Sequence, residues 1–151
     1  MIESLDNAKE ELKRADHSIF VSLKYTRTVD MFKRIIERLI SACEYVMDAL
    51  LKYAKKKKRL QELPTFAGLK YEVITKLYAN NKELLTYIEF YSFLKKINRA
   101  TYTSSQEFRR HVTMTTVIDG KKFEIKIEHM YEYYEKTKAF VAYVEQLIQE
   151  K

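Results

Sequence analysis

Apolar residues recur at three- and four-residue steps along most of the chain, the spacing that lines up side chains on one face of an α-helix. The first such segment predicts a helix over residues 4–26, with Ser4 or Asp6 as its N-cap. A second helix should begin near Thr28 and run for about 30 residues. It should end before the loop at 61–68, which contains Pro64 and Gly68.

The same spacing predicts three more helical segments. They cover roughly residues 69–79, 82–98 and 129–149. Asn80 and Asn81 are expected to separate the first two, although a single bent helix fits the pattern as well. Residues 99–108 are polar and predict a connector, with room for a short helical turn after Ser104 or Ser105.

One stretch, residues 111–128, alternates apolar and polar positions and so predicts a β-hairpin. Asp119-Gly120 is a strong signal for a two-residue turn, which fixes the register of the strands. Met114 should then lie opposite Ile125 on one largely apolar face. A two-stranded hairpin is marginal in water, so this face should cover the helices or a second copy of the chain.

The predicted fold is therefore mainly α: an antiparallel helical bundle of about four to five helices, with one β-hairpin at about 111–128 inserted before the last helix. The 151 residues are expected to form a single domain. Two Gly and one Pro favour long uninterrupted elements over a loop-rich fold.

A net charge of +7 favours partners that are polyanions, such as nucleic acid or an acidic protein. The charge is concentrated in "KYAKKKKRL", which has no acidic residue. The candidate nucleic-acid-binding residues in this run are Lys52, Lys55, Lys56, Lys57, Lys58 and Arg59. A solvated helix end is the alternative interpretation, because cations near a helix C-terminus complement its dipole.

The hairpin register predicts a second candidate site, at the open end of the ribbon. It should place His111 opposite Glu128 and Arg110 opposite His129, with Arg109 close by. Imidazoles can act as acid and base, and Arg can bind a phosphate oxygen. Ordinary cross-strand surface pairs are the alternative. No third metal ligand is evident, so no metal site is predicted.

The remaining candidate chemistry is sparse. Tyr25, Tyr102, Tyr131 and Tyr143 are expected to be exposed and able to stack on bases, although Tyr is also common in bundle cores and interfaces. Cys43 lies among apolar residues and predicts a buried thiol. No motif for a cofactor is present. The absence of a disulfide, a signal peptide and a membrane-spanning run predicts a cytoplasmic protein that does not enter membranes.

Two segments, "LDNAKEELKRADHSIF" and "RLISACEYVMDALLKYAKK", resemble the first two helices of the HEPN superfamily of small helical bundles. The chain is also similar to uncharacterised small archaeal proteins. The HEPN resemblance implies a bundle fold and dimerisation. Many members are ribonucleases or partners of nucleotidyltransferases, and active ones carry Arg, four to six residues, then His. No Arg stands at that distance before His17, His111 or His129, which argues against ribonuclease activity.

These observations favour a non-catalytic binding or assembly module, expected to be a homodimer, with RNA or DNA as its partner. The alternative from another class is a metal-independent ribonuclease built on Arg109, Arg110, His111 and His129. A third hypothesis is a structural scaffold for an acidic protein partner.

Overall fold

The N-terminal helical segment begins earlier than the sequence predicts. In the computed structural model, which describes residues 1–149, α1 (Ile2–His17) continues through a π-helical turn (Ser18–Ser22) into the short α2 (Leu23–Tyr25). Met1 is the N-cap and makes no side-chain capping hydrogen bond, so the predicted caps at Ser4 and Asp6 are wrong. The apolar stripe begins at Leu5, whereas Ile2 is 74% exposed, so the stripe does not mark where the helix starts.

The long second helix, α3 (Val29–Lys56), is confirmed. The Thr28 hydroxyl accepts a hydrogen bond from the Met31 amide at 3.2 Å, which satisfies one of the free amides of the first turn. The helices α1, α4, α5 and α6 all contact α3. Most of its buried side chains are fully enclosed, as expected for a central helix: they include Phe32, Ile35, Ile36, Leu39, Val46 and Leu50.

Three further helices complete the bundle: α4 (Ala67–Leu77), α5 (Lys82–Arg99) and α6 (Ile127–Gln149). The Asn81 side chain accepts a hydrogen bond from the Leu84 amide at 3.0 Å and so caps α5. This cap separates α4 from α5, and the single bent helix is not formed.

Contacts between side chains define the helix directions. The contacts Lys52–Ser4 and Arg38–Glu11 make α1 antiparallel to α3. Lys9 pairs with Glu145, and the Phe20 ring just after α1 meets the Tyr134 ring, so α1 is also antiparallel to α6. The helix α5 is antiparallel to α3, as shown by the contacts Tyr91–Glu44 and Lys33–Asn98. It is also antiparallel to α6, as shown by the ring contacts Tyr87–Phe140 and Phe90–Tyr133. Thus α3 and α6 run in one direction, and α1 and α5 in the other.

The predicted hairpin is present as β2 (Thr113–Ile118) and β3 (Lys121–Ile125), joined at Asp119-Gly120. Its register is as predicted, with Met114 opposite Ile125 and Ile118 opposite Lys121. The connector prediction is wrong, because β1 (Tyr102–Ser105) pairs antiparallel with β2 and makes a three-stranded sheet in the order β1-β2-β3.

The apolar face of the hairpin is covered by the helices of the same chain. Val112, Met114 and Ile125 are at most 1% exposed. The Phe123 ring meets the Phe93 ring of α5 at 5.2 Å between centroids. The buried face therefore gives no argument for a second copy of the chain, and homodimerisation stays a prediction.

Cys43 lies on α3 with no exposed surface. Burial raises the pKa of its thiol far above the ordinary value, although a hydrogen bond with Thr137 opposes this shift. The prediction of a buried thiol is confirmed. Among the helices within residues 1–149, none is both long and apolar enough to cross a membrane.

Candidate functional site

The cationic run lies at the C-terminus of α3, where the chain makes a tight reversal. The Arg59 amide donates to the Ala54 carbonyl at 2.9 Å, and the Lys58 amide donates to the Lys55 carbonyl at 3.0 Å. These two bonds form a Schellman motif, a helix end that places its turning residue in the left-handed region. Lys58 occupies that position with φ 62°. Glycine is the usual residue there, because a side chain disfavours this backbone conformation.

Five of the six predicted residues form one exposed group, the cationic turn: Lys55, Lys56, Lys57, Lys58 and Arg59. None of them makes an ion pair with another residue of the described chain, 1–149. Lys57 lies 5.7 Å from the centroid of the Tyr53 ring, close enough for a cation–π interaction. Lys52 differs from the rest, because its ammonium donates to the Ser4 hydroxyl at 3.0 Å.

The predicted cluster at the open end of the hairpin is not assembled as expected. Strand pairing ends at Met114 and Ile125, because the Val112 amide turns back to the Arg109 carbonyl at 3.1 Å and α6 begins at Ile127. The expected pairs of His111 with Glu128 and of Arg110 with His129 therefore do not form.

His129 has a structural role at the start of α6. Its Nδ1 accepts a hydrogen bond from the Lys126 amide at 2.9 Å, and its own amide donates to the Lys126 carbonyl at 3.0 Å. The ring also lies 6.1 Å from the Tyr133 ring. Arg109, Arg110 and His111 are exposed, and in residues 1–149 no side-chain hydrogen bond or ion pair joins any of them to His129.

The loop that carries Arg109 and Arg110 is instead attached to the N-terminus of α3. The Phe108 amide donates to the Arg27 carbonyl at 2.7 Å. The Glu107 carboxylate accepts a hydrogen bond from the Val29 amide at 3.3 Å, next to the Thr28 cap. A carboxylate at this position is stabilised by the helix dipole.

Exposed aromatic rings gather at this end of the molecule. Phe108 is 72% exposed and Tyr25 is 82% exposed. The Phe20 ring contacts the Tyr131 ring at 5.1 Å, and both are partly exposed. Lys33, in the second turn of α3, lies 5.5 Å from the Tyr102 ring.

Sequence reasoning identified Tyr25, Tyr102 and Tyr131 as exposed rings but missed Phe20 and Phe108. An isolated Phe in the polar segment "SSQEFRR" was the signal for Phe108. The prediction that Tyr143 is exposed is wrong, because its hydroxyl hydrogen-bonds the Asn81 side chain and its ring is half-buried against the core.

A groove of about 260 Å³ lies between α3, α4 and α5. The Tyr91 hydroxyl donates to the Glu44 carboxylate at 2.8 Å, and Lys70 pairs with Asp48 at 2.9 Å. Burial, followed by the bond to Glu44, raises the pKa of Tyr91 well above its usual range. The carboxylates of the groove are already engaged by neighbouring side chains, which makes this a structural polar network.

Within residues 1–149, no group of three or more His, Cys, Asp or Glu side chains is arranged to hold a metal ion. Comparison of the chain with protein-family models, with curated proteins and with solved structures finds no match. The HEPN resemblance stays a prediction from the sequence.

Proposed function

We propose that this protein is a non-catalytic binding module that contacts the phosphate backbone of RNA or DNA through the cationic turn. The observation that carries the proposal is the arrangement of five consecutive exposed cations at one helix end, without ion-pair partners in the described chain. Unpaired cations on long side chains attract phosphates and release counterions from nucleic acid when they bind.

The backbone of the turn supports this proposal. The Schellman bonds fix the direction of the chain at Lys58, so the five side chains leave a defined point of the surface. The dipole at the C-terminus of a helix also stabilises nearby cations. This stabilisation of the lysines at the end of α3 does not require a ligand. Only a binding measurement separates these two roles.

Nothing in the cationic turn reads base edges, so binding should be sequence-tolerant and on the order of micromolar or weaker at physiological salt. Neutralising about four phosphates should give a slope near −3 to −4 in a plot of log affinity against log salt concentration. Short RNA and DNA duplexes and single strands are titrated at several salt concentrations. The test variant changes Lys55, Lys56, Lys57 and Lys58 to Gln, and its slope should flatten by about 0.7 to 0.9 for each phosphate that is no longer neutralised.

A matched control removes the same number of charges from scattered exposed positions: Lys13, Lys76, Lys82 and Lys138 to Gln. This control should keep the wild-type slope to within about one neutralised phosphate. Equal slopes for the test and control variants would mean that net charge alone drives binding. Binding to an acidic peptide but to no nucleic acid would favour the scaffold hypothesis instead.

The ribonuclease alternative keeps a simple test. His111→Ala and His129→Ala should each lower cleavage at least about a hundredfold if these residues are acid and base. We expect no RNA cleavage by the wild-type protein above a mock-purified control.

A further inference from the structure

We propose that the end of the molecule around the N-terminus of α3 is a stacking surface for the unpaired bases of a single-stranded nucleic acid, with Phe108 and Tyr25 as its principal rings. The inference rests on the proposed function, since it names the form of nucleic acid that the protein takes. It adds a surface that is distinct from the cationic turn, because α3 separates the two by about 42 Å.

The conformation of Phe108 is the first observation. Its backbone lies in the left-handed region with φ 64°, where a bulky residue is a genuine outlier. Gln106, two residues earlier, is also left-handed with φ 59°. Such strain persists only where the surroundings hold it, and it is concentrated at functional positions.

The hydrogen bonds of the loop show what holds the strain. The Phe108 amide is fixed to the Arg27 carbonyl, and Glu107 is fixed to the Val29 amide. Successive turns at Arg109 and Val112 continue the loop into β2. These bonds attach the loop backbone at several points, and the large apolar ring of Phe108 is left 72% exposed.

The second observation is that other exposed aromatic residues lie at the same end of the molecule as Phe108. The aromatic end contains five of the exposed large hydrophobic residues of the described chain: Phe20, Tyr25, Tyr102, Phe108 and Tyr131. Phe20 belongs to the π-helical turn, a distortion that is frequent at functional sites. A contiguous exposed apolar patch often marks a binding site, and the contact between the Phe20 and Tyr131 rings makes part of this surface contiguous.

The positive charge beside these rings favours nucleic acid as the ligand. Lys24, Arg27, Arg109 and Arg110 flank Tyr25 and Phe108 in the sequence, and none forms an ion pair within residues 1–149. The nearby Glu107 is bonded to the end of α3. Rings interleaved with free cations are the composition that binds single strands, because every base has a flat face and every nucleotide a phosphate. A duplex stacks its internal base pairs on both faces, so those bases are not available to the rings.

The test uses hexanucleotides of DNA and RNA that carry 2-aminopurine, a base whose fluorescence changes on stacking, and a duplex of the same sequence. Phe108→Gly removes the ring and also suits the positive φ, so the fold should be kept. Tyr25→Leu keeps an apolar side chain but loses the stacking face. Each change should weaken single-strand binding about 5- to 150-fold while leaving duplex binding unchanged.

Two further variants separate this inference from the proposed function. Phe66→Leu removes an exposed ring elsewhere, at the N-terminus of α4, and should have no effect on 2-aminopurine fluorescence. The Gln variant of the cationic turn should bind single strands and duplexes more weakly, and to a similar extent. Arg109→Gln and Arg110→Gln should each reduce the single-strand salt slope by about 0.7.

Wild-type affinity of Phe108→Gly and Tyr25→Leu for the hexanucleotides would overturn the stacking surface and leave the proposed function standing. Binding of duplex only would do the same. A protein that binds neither form fails both proposals. The protein could instead bind an acidic peptide, in a way that depends on Phe108, and fail to bind the hexanucleotides. That result would assign the aromatic end to a protein partner and overturn the inference.

Discussion

At the scale of single residues, His129 shows how a side chain with catalytic chemistry can be committed to structure. Its Nδ1 accepts the Lys126 amide, and the Lys126 carbonyl accepts the His129 amide. This reciprocal pair resembles a capping box, in which the third helical residue reaches back to satisfy an amide at the helix start. Only Nε2 remains free for other partners.

We expect His129→Ala to lower the free energy of unfolding by about 1 kcal/mol, because the Lys126 amide loses its acceptor. His129→Gln should recover most of the loss, since Gln is a usual residue at this capping position. Urea denaturation of both variants measures the difference. Equal stability of the Ala and Gln variants would contradict the capping role.

Single-residue predictions from the sequence succeed where the cause is local. Thr28 and Asn81 cap the two helices whose starts the sequence predicts beside them, because a side chain and an amide three residues later decide the contact. Ser4 is not a cap because it lies inside α1, where its hydroxyl accepts a hydrogen bond from Lys52, 48 residues away along the chain. No local pattern encodes that contact.

At the scale of elements, the hairpin has two faces with different energetics. Ile125 is 1% exposed against the helices, whereas Val117 on the opposite face is 59% exposed. A charge placed at the first position would be buried without a partner, and at the second it would be solvated.

Ile125→Asp should therefore cost about 3 kcal/mol or more of unfolding free energy. Val117→Asp, the matched control on the same ribbon, should cost about 1 kcal/mol at most, mainly through its lower β propensity. Thermal and urea melts of the two variants give the comparison. Similar losses in both would show that the ribbon does not pack as described.

The strand β1 explains why an element escaped prediction. Its sequence "YTSS" is polar, and all four residues are exposed. It therefore lacks the apolar alternation that marked the hairpin. Its order comes from pairing with β2 and from the Thr116 hydroxyl, which donates to the Thr101 carbonyl at 2.8 Å. The same non-local pairing places the loop that carries Phe108, which is why the aromatic end was only partly foreseen.

At the scale of the whole molecule, buried tyrosines link stability to alkaline pH. Burial, with a smaller contribution from Glu132, raises the pKa of Tyr133 to about 12. An unfolded Tyr ionises near pH 10. Below about pH 10 both states are neutral at this residue and its contribution is constant. Between about pH 10 and 12 only the unfolded chain ionises, so the free energy of unfolding falls as the pH rises.

Tyr133→Phe keeps the ring and removes the ionisable group, so stability should decline less steeply between about pH 10 and 12. Urea melts at a series of alkaline pH values measure the decline. Tyr25→Phe, at an exposed position, is the control and should follow the wild-type curve. A wild-type decline in Tyr133→Phe would assign the alkaline loss to other groups, of which buried Tyr91 is the first to examine.

The buried thiol of Cys43 is also a natural probe of transient opening of the bundle. The chain has one cysteine, and that cysteine has no exposed surface. Thiol reagents attack the thiolate, and burial disfavours that form as well as blocking access. Each labelling event thus requires α3 to part from its neighbours. A chromogenic thiol reagent would detect these opening events, and the labelling rate would report how often the centre of the bundle is exposed to water.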